Sequence, residues 1–219
     1  MTTLPRMIGS RRGVLRATTW LAIGAALPAC VGGSSVEPPR TFYLSPLDAP
    51  PPGLSQVDWS LVVQPPQTAP ALRTNRILQA FAPNEFDSYA GAEWGDQAPL
   101  MVQALIIRSF QTSGAIDVVA NERQRLRPDF TLNWTLAPFF AQGPLGAAPE
   151  ARVGLDAQLV QARGRETIGT RSFDASVQAA SADLTAIVAA FDDATHQVLG
   201  ELIPWTLTTG DTVWAGPSS

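Results

Sequence analysis

Residues 130–139, Phe130-Thr131-Leu132-Asn133-Trp134-Thr135-Leu136-Ala137-Pro138-Phe139, decide the fold class. Phe130, Leu132, Trp134 and Leu136 fall on one side of an extended chain, and Thr131, Asn133 and Thr135 fall on the other. A period of two with one apolar side describes a half-buried antiparallel strand. A Gly/Pro/Ala-rich loop follows over 142–151. Val153–Gln161 (VGLDAQLVQ) and Gly169–Val177 (GTRSFDASV) then read as two more strands, joined at the polar turn Ala162–Glu166. Three strands in succession make a meander. The next stretch, Ser181–Leu202, changes period: Leu184, Ile187, Val188, Phe191, Thr195, Val198, Leu199 and Leu202 keep helical spacing on one face. Ser181 is placed to cap this helix, and Gly200 with Pro204 to end it. A run of strands closed by a long helix, without strict strand–helix alternation, is the α+β pattern.

Upstream, the same reasoning places strands at Thr41–Leu47, Trp59–Gln64, Ile77–Phe81, Glu85–Tyr89 and Ile116–Ala120. Ala82-Pro83-Asn84 reads as the turn of a hairpin. Trp94–Ser113 reads as a first helix, with Asp96 as cap, Pro99 tolerated in the first turn and Gly114 as a left-handed stop. That helix is apolar on most sides, so it needs cover on more than one face. Glu122–Arg127 (ERQRLR) reads as a solvated connection and receives no functional weight. The expected fold is a single α+β domain, an antiparallel sheet of about six or seven strands with two main helices packed on it.

The first thirty residues carry a different signal. Ser10–Cys30 opens with Arg11-Arg12, runs through an apolar segment and closes on the one cysteine of the chain. Positive charge, a short apolar run and small residues together describe an export signal. Ala17–Ala29 is shorter than the roughly 20 apolar residues of a membrane-spanning helix. Leu27-Pro28-Ala29-Cys30 resembles a bacterial lipobox, which would make Cys30 the lipidation site, bearing diacylglycerol and an N-acyl chain. The plainer reading is a small residue in a signal cut elsewhere. Ser10-Arg11-Arg12-Gly13-Val14-Leu15-Arg16 also resembles a twin-arginine address. Paired arginines occur in ordinary Sec signals too, so both export routes stay open. The expected organisation is an export signal at 1–29, a lipidated Gly/Ser/Pro tether at 30–40, a folded domain at 41–207 and a flexible tail at 208–219.

Charge narrows the partners. The chain stands at -4 and has no lysine. Losing Arg6, Arg11, Arg12 and Arg16 with an acid-free signal would take the remainder to -8. An acidic body argues against nucleic acid and against electrostatic attachment to anionic lipid. A lone cysteine excludes an internal disulfide and a cysteine metal cluster.

Motifs for chemistry are sparse. The chain has one histidine, His196, expected on the solvated helix face near Asp192 and Asp193. Those three could meet a metal at helical spacing, but no further ligand converges, and no metal or catalytic residue is assigned. No GxSxG, P-loop, HExxH or Gly-rich dinucleotide turn is present. Trp94, Trp134 and Trp205 read as core or interface.

The order of these features carries a resemblance. A lipobox precedes Phe42-Tyr43-Leu44, and a hairpin leads to Tyr89 and Glu93-Trp94. The apolar helix, Phe130-Thr131-Leu132 and the Leu159-Val160-Gln161 to Arg171-Ser172-Phe173 hairpin follow. A final helix closes on Pro204-Trp205-Thr206-Leu207. The chain resembles the ABC-type transport auxiliary lipoprotein family, the PqiC-like subunits of membrane-integrity-associated transporters.

That resemblance implies a non-enzymatic lipoprotein facing the periplasm, without cofactor. It implies partners in a mammalian-cell-entry type substrate-binding protein and an ABC permease and ATPase, moving phospholipid or other apolar molecules between membranes. Val31, rather than aspartate, after the lipidated cysteine favours the outer membrane. On this reading the surplus apolar surface of the first helix, with Tyr89, Trp94, Leu100 and Ile107, is where the transporter's periplasmic subunit would dock. The alternative is that the Leu47–Trp59 loop covers that face within the monomer. Rival functions are an envelope hydrolase, a free periplasmic binding protein and a structural outer-membrane assembly lipoprotein.

Overall fold

The computed structural model describes residues 38–216 apart from Asp48 and Pro83. Arg11, Arg12, Cys30 and most of the tether lie outside the described residues. Eleven regular elements follow in chain order: β1 (Arg40–Phe42), β2 (Val57–Val63), β3 (Gln67–Thr68), β4 (Arg76–Ala82), β5 (Glu85–Trp94), α1 (Ala98–Ser113), β6 (Ile116–Asn121), β7 (Phe130–Gln142), β8 (Glu150–Gln161), β9 (Glu166–Gln178) and α2 (Leu184–Trp214). The α+β class holds.

The sheet is larger than expected, with nine strands, and it is mixed rather than antiparallel. β4–β5 and the meander β7–β8–β9 are antiparallel. One side of β7, however, takes β2, β3 and β4 in succession, all parallel to it, and β2–β6 and β1–β5 are parallel too. Alternation along a strand reports which face is buried and is silent on the direction of the neighbour. That direction follows from how the connecting segments cross the sheet.

Both helices lie in one core with the sheet's inner face. β7 sends Phe130, Leu132, Trp134 and Leu136 inward, β8 sends Val153, Leu155, Ala157 and Leu159, and α2 meets them with Ile187, Phe191, Val198, Leu199, Leu202 and Ile203. Phe191 stands edge-on to Trp94 at 5.3 Å between ring centres, and Phe139 completes that cluster at 5.1 Å from Phe191. Each of the large aliphatic and phenylalanine side chains among these contributes about 1.5–3 kcal/mol on burial.

The helix ends differ from expectation. Trp94 belongs to β5, and α1 begins at Ala98 after Gln97, with Pro99 in its first turn. Asp96 accepts only from the adjacent Gln97 amide, while the Ala98 amide donates to the Thr74 carbonyl at 3.0 Å. A tertiary carbonyl thus satisfies a donor that a side-chain cap would have taken. Gly114 does stop α1 in the left-handed region, at φ 63.

In α2 the residue before the first turn is Asp183, and Ser181 bonds to Asp183 rather than to the helix. Pro204 does not end α2, and the expected tail at 208–219 is helical through Trp214. A proline inside a helix costs about 3 kcal/mol. Leu202, Ile203 and Leu207 are almost fully buried around it, and at about 1.5–3 kcal/mol each they outweigh that cost. Gly210 then lets the helix close on Trp59: a Cβ there would sit 2.5 Å from the indole ring.

Candidate functional site

With both helices on one side, the other face of the sheet carries no helix among the described residues. Cross-strand register shows what it presents. Thr131, Val160 and Thr167 form one row, Asn133, Gln158 and Thr170 the next, and Thr135, Asp156 and Ser172 a third, where the Ser172 hydroxyl donates to Asp156. The middle of this face is polar.

Its character changes past Leu136. The β7–β8 register shifts between Leu136 and Phe139, so inward pointing passes from the even-numbered residues to Phe139 and Ala141. Phe140 therefore faces outward. It meets Phe86 of β5 edge-on, 5.1 Å between ring centres, and Phe86 is 53% exposed. Leu72, Leu78, Ala137 and Pro138 join them around a groove of about 480 Å³ that is almost wholly apolar. An open aromatic groove on an exposed sheet face is the kind of surface that takes an apolar ligand or chain segment.

A second constellation joins residues far apart in sequence. The Ser45 amide donates to Asp192 Oδ1 at 2.7 Å, and the Ser45 hydroxyl donates to Asp192 Oδ2 at 2.6 Å. His196 Nε2 lies 3.0 Å from the Ser45 carbonyl oxygen and 3.3 Å from its hydroxyl. Serine, histidine and aspartate in contact invite a hydrolase reading, and the protons argue against it. A carbonyl can only accept, so Nε2 carries the hydrogen and cannot also take the serine proton. Asp192 stands 3.9 Å from that same Nε2, whereas a triad carboxylate orients its histidine through Nδ1. The three residues form a latch that holds the chain after β1 against α2. His196 is accordingly half-buried, not on a solvated face as expected. Ser45 had no sequence signal, because its partners lie 147 and 151 residues away. Among the described residues no group of three or more His, Cys, Asp or Glu side chains could hold a metal ion.

The expected docking residues separate. Leu100 (38% exposed) and Ile107 share the outward stripe of α1 with Ala104. Trp94 is 1% exposed and is a core residue, so it is not available to a partner. Tyr89 lies on β5, half-buried, and its hydroxyl is shielded with no hydrogen-bond partner among the described residues. Burial pushes that hydroxyl's pKa up to about 12. Part of the inner surface of α1 is covered by the chain itself: Leu47 and Leu54 pack on the core, and the Leu47 amide donates to Ser109 at 3.3 Å.

A family model described as ABC-type transport auxiliary lipoprotein component matches residues 42–202. The chain belongs to that family. The match runs from Phe42 in β1 to Leu202 in α2 and so takes in the meander, the groove and the latch. A curated relative, uncharacterized protein bll6063 of Bradyrhizobium diazoefficiens, is 29% identical over 186 residues, covering 84% of this chain and 49% of that protein. The chain thus spans about half the length of that relative. The crystal structure of protein XCC0632 from Xanthomonas campestris is 30% identical, with a TM-score of 0.74 over 80% of this chain and 99% of that one. A further crystal structure of an uncharacterized protein, 15% identical with a TM-score of 0.60 over 76% of this chain and 97% of the other, shares the fold. No helix among the described residues is long and apolar enough to cross a membrane.

Proposed function

We infer that this protein is a non-catalytic, lipid-anchored auxiliary subunit of an ABC-type transporter, facing the periplasm from the outer membrane. It acts beside a mammalian-cell-entry type substrate-binding protein and its permease and ATPase, moves phospholipid or other apolar molecules between membranes, and so supports envelope integrity. The observation that carries this reading is the family match over 42–202, which spans the folded body from β1 to the middle of α2. The apolar groove at Phe86 and Phe140 supports it, since a subunit handling apolar cargo or an apolar partner segment needs such a surface. The proton arrangement at Ser45, Asp192 and His196 removes the most specific support for a hydrolase.

Attachment to the envelope is assigned to acyl chains on Cys30, with Arg11 and Arg12 directing export. The partner contact on α1 is reduced to Leu100 and Ile107, with Tyr89 apart from them on β5. Co-purification tests the reading. The full-length chain, tagged at its carboxyl end, is recovered from detergent-solubilised envelopes, with Cys30→Ser as the comparison. The wild type is expected to bring down the mammalian-cell-entry type protein and the permease, and the variant to incorporate no palmitate and to lose most of that recovery. Palmitate incorporation equal to wild type in Cys30→Ser would refute the lipoprotein assignment. A lipidated wild type that recovers neither transporter component would refute the transport role.

A further inference from the structure

The chain is acidic overall, yet five of the eleven arginines among the described residues sit in two adjacent connections. Arg123, Arg125 and Arg127 lie between β6 and β7, and Arg163 and Arg165 lie in the β8–β9 turn. The Ala162 amide donates to the Asp129 carbonyl at 2.8 Å, which ties the two connections together. Glu166, next to Arg165 in the chain, is exposed, and the two other acids of these connections are occupied. Asp129 accepts from the Ser60 amide and hydroxyl at 2.9 and 2.7 Å, and Glu122 accepts from Gln103 at 3.3 Å and faces Arg123 at 3.6 Å. Arg125, Arg127, Arg163 and Arg165 make no ion pair or side-chain hydrogen bond among the described residues.

Two of these arginines hold costly backbone. Arg125 (φ 50) and Arg165 (φ 57) are the non-glycine residues with left-handed backbone among the described residues. Glycine or asparagine adopts that conformation more cheaply. Arginine at both positions, in neighbouring loops, is not a requirement of the fold.

The arginines surround apolar side chains. Leu126 is 37% and Trp214 46% exposed. The ridge Leu126–Pro128 divides two clefts of about 570 and 670 Å³; Arg165 lines the first, and Arg127, Arg163 and Trp214 line the second. This surface lies at the carboxyl end of α2, where Trp214 packs on Phe130 at 6.4 Å. β1 lies at the other end of α2, where Arg40 bonds to Thr185 in its first turn at 3.3 Å. Thirty-one residues of helix separate the two ends, about 46 Å at 1.5 Å per residue.

We propose that this arginine-rich, cleft-bearing tip is a docking surface for an acidic protein segment, one that places carboxylates on Arg125, Arg127, Arg163 and Arg165 and an apolar side chain beside Leu126 and Trp214. Charge complementarity selects carboxylates, since guanidinium forks pair with them in a bidentate way. Relief selects a protein over a bilayer: projecting side chains fill two concave clefts, whereas a flat lipid surface would touch only the ridge between them. The inference stands independently of the transport reading, because it names the partner's chemistry and not its identity.

The test uses the full lipidated protein in detergent micelles, a fluorescent dodecapeptide alternating glutamate and leucine, and the same peptide with glutamine for glutamate. The acidic peptide is expected to bind in a salt-sensitive manner, and the glutamine peptide at least about tenfold more weakly. Arg125→Gly with Arg165→Gly relieves the left-handed backbone while deleting two charges. That double variant is expected to lose about tenfold in affinity while its unfolding midpoint holds or rises. Arg163→Glu, at an ordinary backbone position, is expected to weaken binding similarly and covers the case in which the glycine variant folds poorly. Equal binding of the two peptides, or undiminished binding by both variants, overturns the proposal. Binding to phosphatidylglycerol-containing vesicles with none to the acidic peptide also overturns it, in favour of a membrane contact.

Discussion

At the scale of single residues, two polar groups show how burial changes chemistry. The Tyr89 hydroxyl is shielded from water without a partner among the described residues, and its pKa is pushed from 10.0 up to about 12 by that burial. The folded state therefore holds the proton more tightly than the unfolded chain. Stability is at its full value below pH 10 and falls as pH rises toward 12, because the unfolded chain ionises first. Tyr89→Phe is expected to leave stability at neutral pH unchanged or slightly higher, because no hydrogen bond is forfeited. It should also remove part of the alkaline loss; urea unfolding followed from pH 8 to 12 checks both, and an unchanged alkaline slope would contradict the assignment. Asp192, by contrast, has its partners: it accepts two short bonds from Ser45. Asp192→Ala leaves a half-buried amide and hydroxyl without their acceptor, a loss of about 1–3 kcal/mol. The segment from Tyr43 to Gln56 should then become the first site of limited proteolysis, and digestion at the wild-type rate would show that the latch is not what holds it.

At the scale of elements, α2 is the one whose ends depend most on its surroundings. Its amphipathic stripe was visible from Leu184 to Leu202, but its last three turns were not. Pro204 is a stop signal in an isolated helix, where nothing offsets the lost hydrogen bond and the ring clash. Here Ile203 and Leu207 are buried on the sheet, and that burial carries the helix past the proline. Gly210 shows the same dependence on context. In isolation Gly210→Ala would favour the helix by about 1 kcal/mol. Against Trp59, which is 2% exposed and cannot move aside, the added methyl is expected to cost about 1–3 kcal/mol in overpacking. A lowered urea midpoint with an unchanged slope is the expected result, and a raised midpoint would mean that the helix end is not docked on Trp59.

At the scale of the whole molecule, the sheet divides the protein into a sealed side and an open one. The helices close the core on one face. The other face carries polar rows, an apolar groove at Phe86 and Phe140, and the arginine tip beyond. A body of this kind makes non-local contacts throughout, with β1 on β5 and Ser45 on α2, and such contacts form late in folding. If Arg11 and Arg12 address the twin-arginine route, the body crosses the membrane already folded, and Arg11→Lys with Arg12→Lys should block export because that receptor reads the guanidinium pair. Normal processing of the double variant, measured by pulse labelling, would assign export to the Sec route.

What the amino-acid order determined by itself is local. Alternation in Phe130–Leu136 and in the β8–β9 pair, the helical stripe of α2, the left-handed stop at Gly114 and the succession of strands before a long helix were all legible, because each depends on neighbours within a few residues. Family membership was legible for the same reason, through the order of short motifs from Phe42 to Leu207. Only the tertiary structure decided the rest. Parallel pairing along β7 depends on how distant segments cross the sheet. Which of Phe139 and Phe140 faces the core depends on a register shift against β8. The burial of His196 depends on Ser45, 151 residues away, and the continuation of α2 through Pro204 on the surface beneath it. The ERQRLR run read as a plain solvated connection until folding set it beside Arg163, Arg165 and Trp214. Charges that are ordinary one at a time acquire meaning from being brought together, and the distances that bring them together are set by the fold.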